Sequence, residues 1–348
     1  MARSRILLVQ WGRVGAGPKL AHLLAIELEN LGADIYLSIS SASEYRTLTL
    51  QRFGRNVLEL IVRNSFSLLS PRRILRARRS FLKFVSKIDP NLIVFVMPHP
   101  WDIFIKGKSP RVRIIHDGTR HPGDSVWPTT KALSRRFSSG DQVIVLSETV
   151  GKIVAKRNSN VFASSHPIFS FGGERDRSQK VNDVLVIGRQ RKYKGTKRLL
   201  EIWPLVLKEF PTATLIVAGE GRISKKLQKL PNIEIVNKWL SEEEIGLYLS
   251  TSKCVLFPYI EASQSGLLPA ARSLGGQVVV TPVGGLSEQV AKFGGRVSKD
   301  MEAESIAAEI CDALSNPLDR DVAEFDATSA SELAILLIRL ASEKGRAK

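Results

Sequence analysis

The stretch Leu256-Phe-Pro-Tyr-Ile-Glu261-Ala-Ser-Gln-Ser-Gly266-Leu-Leu-Pro-Ala270, followed by Val280-Thr-Pro-Val-Gly284-Gly285-Leu-Ser-Glu288, decides how this chain is read. It begins as a buried apolar strand, Cys254 to Phe257, which Pro258 ends. A carboxylate, Glu261, then leads into a small polar turn containing Gly266, and a helix with small residues follows. The second piece is another apolar strand, Gln277 to Thr281, ending in a Gly-Gly turn that carries Glu288. In a parallel α/β sheet, strand ends of this kind face the ligand crevice. Backbone N–H groups at a Gly/Ser turn opening a helix suit a phosphate. A carboxylate beside them suits sugar or ribose hydroxyls. The chemistry these residues suggest is nucleotide-sugar binding.

Similar apolar runs recur on both sides of this stretch. Strands are expected at Ile6–Val9, Asp34–Ile39, Val57–Val62, Leu92–Val96, Arg111–Ile115 and Gln142–Leu146. They resume at Val184–Ile187, Thr214–Ala218, Ile233–Val236, Cys254–Phe257 and Gln277–Thr281. Near-continuously apolar strands separated by helices imply parallel sheets covered on both faces. The break, Phe171-Gly-Gly-Glu-Arg-Asp-Arg-Ser-Gln-Lys180, is polar and without period, which is the pattern of a linker. Five or six strands then fall on each side, giving two doubly wound domains. The expected divisions are 1–170, a linker at 171–181, 182–328, and a C-terminal helix at 329–348 that packs back on the first domain.

Helix signals agree with this division. Lys19 to Leu31 carries leucines at helical spacing and stops at Gly32. Ser241-Glu-Glu-Glu244 reads as a capping box, with Ile245, Tyr248 and Leu249 on one face. Asp300 is placed to cap a helix from about Glu302, and Ser329 to Ser342 forms a last amphipathic helix.

A chain of 348 residues fits two domains of ordinary size, and 43% hydrophobic residues suffice for their cores. Cys254 and Cys311 lie far apart, with no Cys-x-x-Cys, so metal and redox readings are weak and a reducing, cytoplasmic compartment is expected. No apolar run approaches a membrane span. The net charge is +17, and residues 1–178 hold 28 Lys+Arg against 13 Asp+Glu, a net +15. An anionic partner for the first half follows: a membrane surface, a phosphorylated acceptor or nucleic acid. The stretch Pro71 to Lys87 concentrates this charge in Arg72, Arg73, Arg76, Arg78 and Arg79, with Ile74, Leu75, Leu82 and Val85 as an apolar face. That pattern suits a helix on an anionic bilayer, and equally a surface helix packed on its sheet. Its two aromatics, Phe81 and Phe84, follow the arginines instead of alternating with them. This argues against a nucleic-acid-binding protein.

Three further turns carry candidate chemistry. Gly12-Arg-Val-Gly15-Ala-Gly17-Pro-Lys follows the first strand, where Gly15 and Gly17 let backbone approach a pyrophosphate; a plain tight turn explains it as well. Gly188-Arg189-Gln-Arg-Lys-Tyr-Lys194-Gly195 follows the first strand of the second half. There Arg189 can fork onto phosphate oxygens and Lys194 can add a point charge, against the alternative of a solvated basic loop. His116-Asp117-Gly-Thr-Arg-His121-Pro-Gly-Asp124 follows a core strand. His116 can bond a sugar hydroxyl or a developing leaving group; Asp117 paired with Arg120 would make the loop structural. His22 reads as structural, and His99 and His166 as loop residues. Asp319-Arg-Asp321 has the form of a metal-binding carboxylate pair but lies away from any strand end, so no metal is expected.

Taken together, these residues resemble the retaining nucleotide-sugar glycosyltransferases of the GT-B fold, in the large family numbered four. The likeness is greatest over about 184–290. There Gly188-Arg189, Lys194-Gly195, Gly219-Glu-Gly221, Leu240-Ser-Glu-Glu-Glu, Pro258, Glu261 and Gly284-Gly285 with Glu288 fall in family order. The resemblance implies two Rossmann-like domains facing each other across a cleft, donor on the second and acceptor on the first. It implies a hexosyltransferase that needs no cofactor. Arg189 and Lys194 would hold the donor diphosphate, Glu261 with backbone at Ser265 and Gly266 the donor sugar, and His116 would lie near sugar and acceptor. The acceptor would be a glycan or lipid-linked intermediate, met as a peripheral protein at the inner membrane face. One departure stands out. Pro269 occupies the place of the family's second glutamate, which binds ribose. That keeps open a non-catalytic protein of the same fold.

Overall fold

The computed structural model describes residues 3–62, 71–99, 101–102, 109–118, 141–156, 158–172, 180–318 and 330–345. Two compact units divide them. The first holds the described residues up to Pro167 and again those from Ala330; the second holds those from Ile168 to Leu318.

The first unit runs β1 (Arg5–Gln10), α1 (Ala16–Asn30), β2 (Asp34–Ser40), α2 (Arg46–Phe53), β3 (Val57–Leu60), α3 (Pro71–Ile88), β4 (Leu92–Phe95), β5 (Arg111–Ile115), β6 (Gln142–Val145), α4 (Glu148–Ala155) and β7 (Val161–Ala163). Its seven strands lie in the order β3-β2-β1-β4-β5-β6-β7, all parallel. The chain works outward from β1 to β3 and then starts again at β4, so the sheet reverses between β1 and β4. Leu7, Leu8 and Leu92 are wholly buried, as strands covered on both faces require. Helix α1 begins at Ala16, earlier than its leucine spacing predicts, because Pro18 sits in the first turn, where no helical N–H is lost. Leu20, Leu24 and Leu28 then bury one stripe against the sheet, each contributing about 1.5–3 kcal/mol.

Helix α3 corrects one expectation. Its inner face is Ile74, Ala77, Phe81, Phe84, Val85 and Ile88, packed on Trp11, Leu60, Val62 and Phe95. Leu75 is 49% exposed, about 100° round the helix from Ile74 of that stripe, among the arginines. Arg72, Arg73, Arg76, Arg78 and Arg79 all stand on the exposed side.

In the second unit the order is β8 (Asn182–Ile187), α5 (Leu199–Glu209), β9 (Leu215–Ala218), β10 (Ile233–Val236), α6 (Glu242–Thr251), β11 (Ser252–Phe257), α7 (Leu267–Ser273), β12 (Gln277–Val280), α8 (Leu286–Phe293), β13 (Arg296–Val297) and α9 (Ala303–Ser315). The six strands lie as β10-β9-β8-β11-β12-β13, again parallel, and reverse between β8 and β11. The capping box forms: Ser241 Oγ accepts from Glu244 N at 3.2 Å and Glu244 accepts from Ser241 N at 2.9 Å. Asp300 does not cap α9. Its carboxylate accepts from Glu302 N at 3.0 Å, one step before the helix, and Glu302 is the N-cap residue.

The expected linker falls mostly at 173–179, outside the described residues. Phe171, at its head, is buried, and Gly172 packs on α6, where a Cβ at Gly246 would come within 1.7 Å of the Gly172 carbonyl oxygen. The last helix, α10 (Ser331–Gly345), belongs to the first unit. It packs on α1, where Ser331 Oγ donates to Glu27 at 3.3 Å, and Leu333, Ala334, Leu337, Leu340 and Ala341 form its buried stripe. Strands β7 and β13 were not expected from the sequence.

Candidate functional site

Between β8 and β11 two loops leave the carboxyl edge of the sheet side by side, which is where open α/β sheets hold ligands. The loop after β8 holds Gly188, Arg189, Lys194 and Gly195; the loop after β11 holds Pro258 to Gly266. They are joined by backbone, since Ile260 N donates to Tyr193 O at 2.8 Å. Gly195 makes the approach possible. Its φ is +69°, and a Cβ there would lie 1.7 Å from the Pro258 carbonyl oxygen. Gly284 does the same on the other side, with φ +51° and a Cβ position 1.6 Å from Ala262 O.

A polar chain crosses the junction. The Lys194 ammonium donates to the Tyr259 hydroxyl and lies 3.9 Å from the centre of the Tyr259 ring. The Tyr259 hydroxyl and Ser265 Oγ are 3.3 Å apart. Gln289 Oε1 accepts from Ser265 N at 2.8 Å while its Nε2 donates to Ser265 O at 3.0 Å. Thr281 Oγ1 donates to Tyr259 O at 2.6 Å. Burial pushes the Tyr259 phenol up, so it stays neutral beside the ammonium. The Ser265 N–H, expected to serve a ligand, is thus taken by Gln289, and its buried hydroxyl faces Tyr259.

Arg189 is exposed and makes no hydrogen bond or ion pair to a described residue. Glu261, on the β11 loop, and Glu288, in the first turn of α8, are half-buried. Gly266 precedes α7, and Pro269 is buried within it. The sequence thus placed Arg189, Lys194, Glu261, Ser265, Gly266 and Glu288 at strand ends of one sheet edge. It missed Tyr259 and Gln289, which join them. Gln289 had a signal: it interrupts the apolar face Leu286, Val290 and Phe293 with an amide, yet is buried.

The matching position of the first unit, between β1 and β4, is different. Gly15 has φ +90°, and its N–H donates to the Glu44 carboxylate at 2.7 Å. A Cβ on Gly17 would lie 2.3 Å from Gln10 Nε2 and 3.2 Å from Met97 Sδ. The Gln10 amide is buried there, and neither of its polar atoms has a hydrogen-bond partner. His116 directly follows β5, and its ring Nε2 lies 3.1 Å from Val96 O. A carbonyl only accepts, so Nε2 carries the proton and Nδ1 keeps its lone pair. Burial lowers the His116 pKa, and that of His166 to about 4, so both rings are neutral at pH 7. Their ring centres are 6.3 Å apart. His22 bonds Thr49 Oγ1 at 3.1 Å, the structural part expected of it. Residues 119–124 and the pair at 319 and 321 lie outside the described residues. Among those described, no group of three or more His, Cys, Asp or Glu is arranged to hold a metal ion, and no helix is long and apolar enough to cross a membrane.

The comparisons with known proteins bear on this geometry. Residues 181–316 match the family described as Glycosyl transferases group 1. No curated protein matches the chain in sequence. Among solved structures, sucrose-phosphate synthase from Thermosynechococcus elongatus matches with a TM-score of 0.67 at 14% identity, over 99% of this chain and 98% of its own. HepE from Anabaena, solved in complex with UDP and glucose, matches at 0.64 and 15% identity, over 98% and 95%. The lipopolysaccharide outer core galactosyltransferase WaaB matches at 0.62 and 11% identity, over 99% of each chain. The fold is that of the GT-B glycosyltransferases, as the sequence led one to expect. The second unit carries a group 1 glycosyl transferase domain, and the expectation of a glycosyltransferase is borne out at that level.

Proposed function

We propose that this protein moves a hexosyl group from a nucleotide-diphosphate sugar to an acceptor, with retention at the anomeric carbon, as the family-four resemblance implies. The observation that carries the donor assignment is the joined loop pair between β8 and β11, with Lys194 held on Tyr259 and Arg189 free of described partners. A neighbour of the same fold holds UDP and glucose, which supports a nucleotide-sugar donor.

Arg189 and Lys194 hold the diphosphate. As the bond from C1 to the phosphate oxygen breaks, charge gathers on that oxygen, and these cations bind the transition state more tightly than the ground state. The acceptor oxygen bonds to C1, and its proton passes to the leaving phosphate, so no protein base is required. Glu261 accepts hydrogen bonds from the sugar hydroxyls, with Ser265 Oγ and Gly266 beside it, and Glu288 lines the same edge. His116 offers Nδ1 to a hydroxyl of sugar or acceptor. No resident metal is needed in this scheme, because the two cations meet the diphosphate charge. The acceptor is a lipid-linked or polysaccharide intermediate reached at the cytoplasmic face of an anionic membrane, a reading supported by the exposed arginines of α3.

The test is a panel of nucleotide sugars scored by thermal shift and by hydrolysis, followed by the anomeric configuration of the product. One donor should stabilise the protein and be turned over with retention. Glu261→Gln keeps the shape and removes the charge that strengthens bonds to hydroxyls, so turnover should fall while the melting temperature holds. A variant that melts early yet turns over normally when folded would make Glu261 structural. Stabilisation by no donor would leave the non-catalytic protein of this fold, whose motive is Pro269 in the place of the family's second glutamate.

A further inference from the structure

We infer that Tyr259 is a positioning residue for the diphosphate, fixing the Lys194 ammonium at the loop junction. This rests on the donor reading above and extends it to a side chain that itself touches no ligand.

A lysine on a loop is a poor fixed point. Its four-carbon stem turns freely, and holding an anion freezes it at an entropic cost. Here the stem is held by protein groups. Lys194 Nζ donates to the Tyr259 hydroxyl, and it lies 3.9 Å from the centre of that ring and 5.4 Å from the centre of the Tyr193 ring. The two rings meet edge to face, 6.1 Å apart at 83°. They form an aromatic corner, and a cation is drawn to such faces. Lys194 is half-buried and not enclosed, so a ligand can reach it.

Tyr259 is itself anchored. It is 2% exposed. Phe257 packs edge to face on its ring, with centres 5.7 Å apart. Its carbonyl accepts from Thr281, just past β12, and its hydroxyl meets Ser265 Oγ. Gln289 of α8 grips Ser265 through both backbone groups. The direction of the chain follows from the chemistry. An ammonium only donates, so the Tyr259 hydroxyl accepts from Lys194 and turns its own proton toward Ser265 Oγ. A tyrosine buried for packing alone needs one partner for that proton, and Ser265 supplies it. The second contact, to a cation on the other loop, is more than packing requires. Through it α8, the end of β12 and both loops converge on one ammonium.

The experiment uses the full chain in titration calorimetry, with inorganic pyrophosphate and with UDP, GDP, ADP and CDP as probes. Tyr259→Phe keeps the ring and removes the hydroxyl. It should weaken pyrophosphate, and any nucleoside diphosphate that binds, by the same factor of about three- to tenfold. A double-mutant cycle with Lys194→Met separates positioning from support of the loop. In the Lys194→Met background, Tyr259→Phe should change affinity by less than about twofold. An equal loss in both backgrounds would make the hydroxyl a structural prop. Tighter binding by Tyr259→Phe would mean that the hydroxyl keeps the lysine from the ligand. Either result overturns the inference. A second measurement needs no folded Tyr259 variant. In wild-type protein carrying isotopically labelled lysine, one ε-methylene signal should lie upfield of the rest, shifted by the Tyr259 ring. It should vanish in Lys194→Met and stay upfield when pyrophosphate is added. Lysine signals that are all alike would mean a freely turning Lys194 and would also overturn the inference. If neither pyrophosphate nor any of the nucleotides binds the wild type, the donor reading falls and the positioning role falls with it. That result is distinct from the others, because the upfield lysine signal would persist.

Discussion

Each sheet reverses direction at one point, β1 against β4 in the first unit and β8 against β11 in the second, and each reversal is followed by a glycine turn. Topology gives both the same crevice, but the side chains fill them differently. In the first unit a carboxylate, Glu44, already takes the Gly15 N–H. Neutral imidazoles and the rings of Trp11 and Trp101 surround the strand ends, and α3 gathers seven of this half's 28 Lys and Arg with no acid among them. The second half is nearly neutral, with 23 Lys+Arg against 21 Asp+Glu beyond residue 178, yet it puts Arg189 and Lys194 at its reversal. Net charge therefore points to the half proposed to meet an anionic surface, and local placement to the half proposed to hold an anionic ligand.

The largest effects should come from the glycines. Gly195→Ala and Gly284→Ala each drive a methyl into a backbone carbonyl oxygen at under 2 Å while holding a positive φ. Each should cost about 5 kcal/mol or more and unfold the second unit. Gly15→Ala has the same sign of φ but nothing within 4 Å of the new methyl. It should cost only the backbone conformation, φ +90° and ψ −159°, a region essentially confined to glycine, at about 1–3 kcal/mol. Urea melts of the three variants test the contrast. Similar midpoints would mean that the two turns are equally tight.

Next come the charges, which should separate cleanly between the halves. Replacing Arg72, Arg73, Arg76, Arg78 and Arg79 with Gln removes about 1 kcal/mol of attraction per residue at an anionic surface. Binding to anionic vesicles should vanish, binding to neutral vesicles should barely change, and donor hydrolysis should persist. Wild-type binding should weaken with added salt. Arg189→Ala and Lys194→Ala should do the reverse. Each loses a charge-assisted contact of about 1.5–3 kcal/mol, or one to two orders of magnitude in donor affinity, with vesicle binding intact. Wild-type protein that ignores anionic vesicles at low salt would assign α3 to a soluble anionic acceptor. Unchanged donor kinetics in both single variants would move the diphosphate elsewhere.

The sequence made the sheets legible because their central strands are unbroken apolar runs, such as Leu92–Phe95 and Leu215–Ala218. It hid β7 and β13, which are three and two residues long, too short to show a period. The site was legible at its strand ends, where Gly, Arg and Glu break an apolar run. It was not legible across the junction, since Lys194 and Tyr259 are 65 residues apart and only the fold brings them together. Leu75 was misassigned for a related reason. Ile74 and Leu75 are adjacent in sequence but 100° apart on a helix, and only one of them can face the sheet.

The smallest effect is a slope, and it belongs to the first reversal. His166 is buried, donates Nδ1–H to Pro167 O at 2.7 Å, and has its pKa lowered to about 4 by that burial, with His116 adding to the shift. Unfolded, the same ring titrates near 6.5. The unfolded chain therefore takes up the proton first as pH falls. The stabilisation from keeping His166 neutral is complete above pH 6.5 and is lost between 6.5 and about 4, at no more than about 1.4 kcal/mol per pH unit. Asp102 works the other way. Burial raises its carboxyl to about 7 although Arg113 lies 3.4 Å away, so its contribution is complete below 3.8 and is lost as pH rises through 7. The two partly cancel in the wild type, which is why a single acid melt would mislead. His166→Asn keeps an N–H for Pro167 and does not titrate. Denaturant melts of both proteins at pH 7.5, 6.5, 5.5 and 4.5 isolate the ring, because Asp102 is common to both. The variant should gain on the wild type steadily below pH 6.5. A constant difference across the series would mean that the His166 ring is protonated with equal ease in the folded and unfolded chain, and that this corner of the first unit is wet.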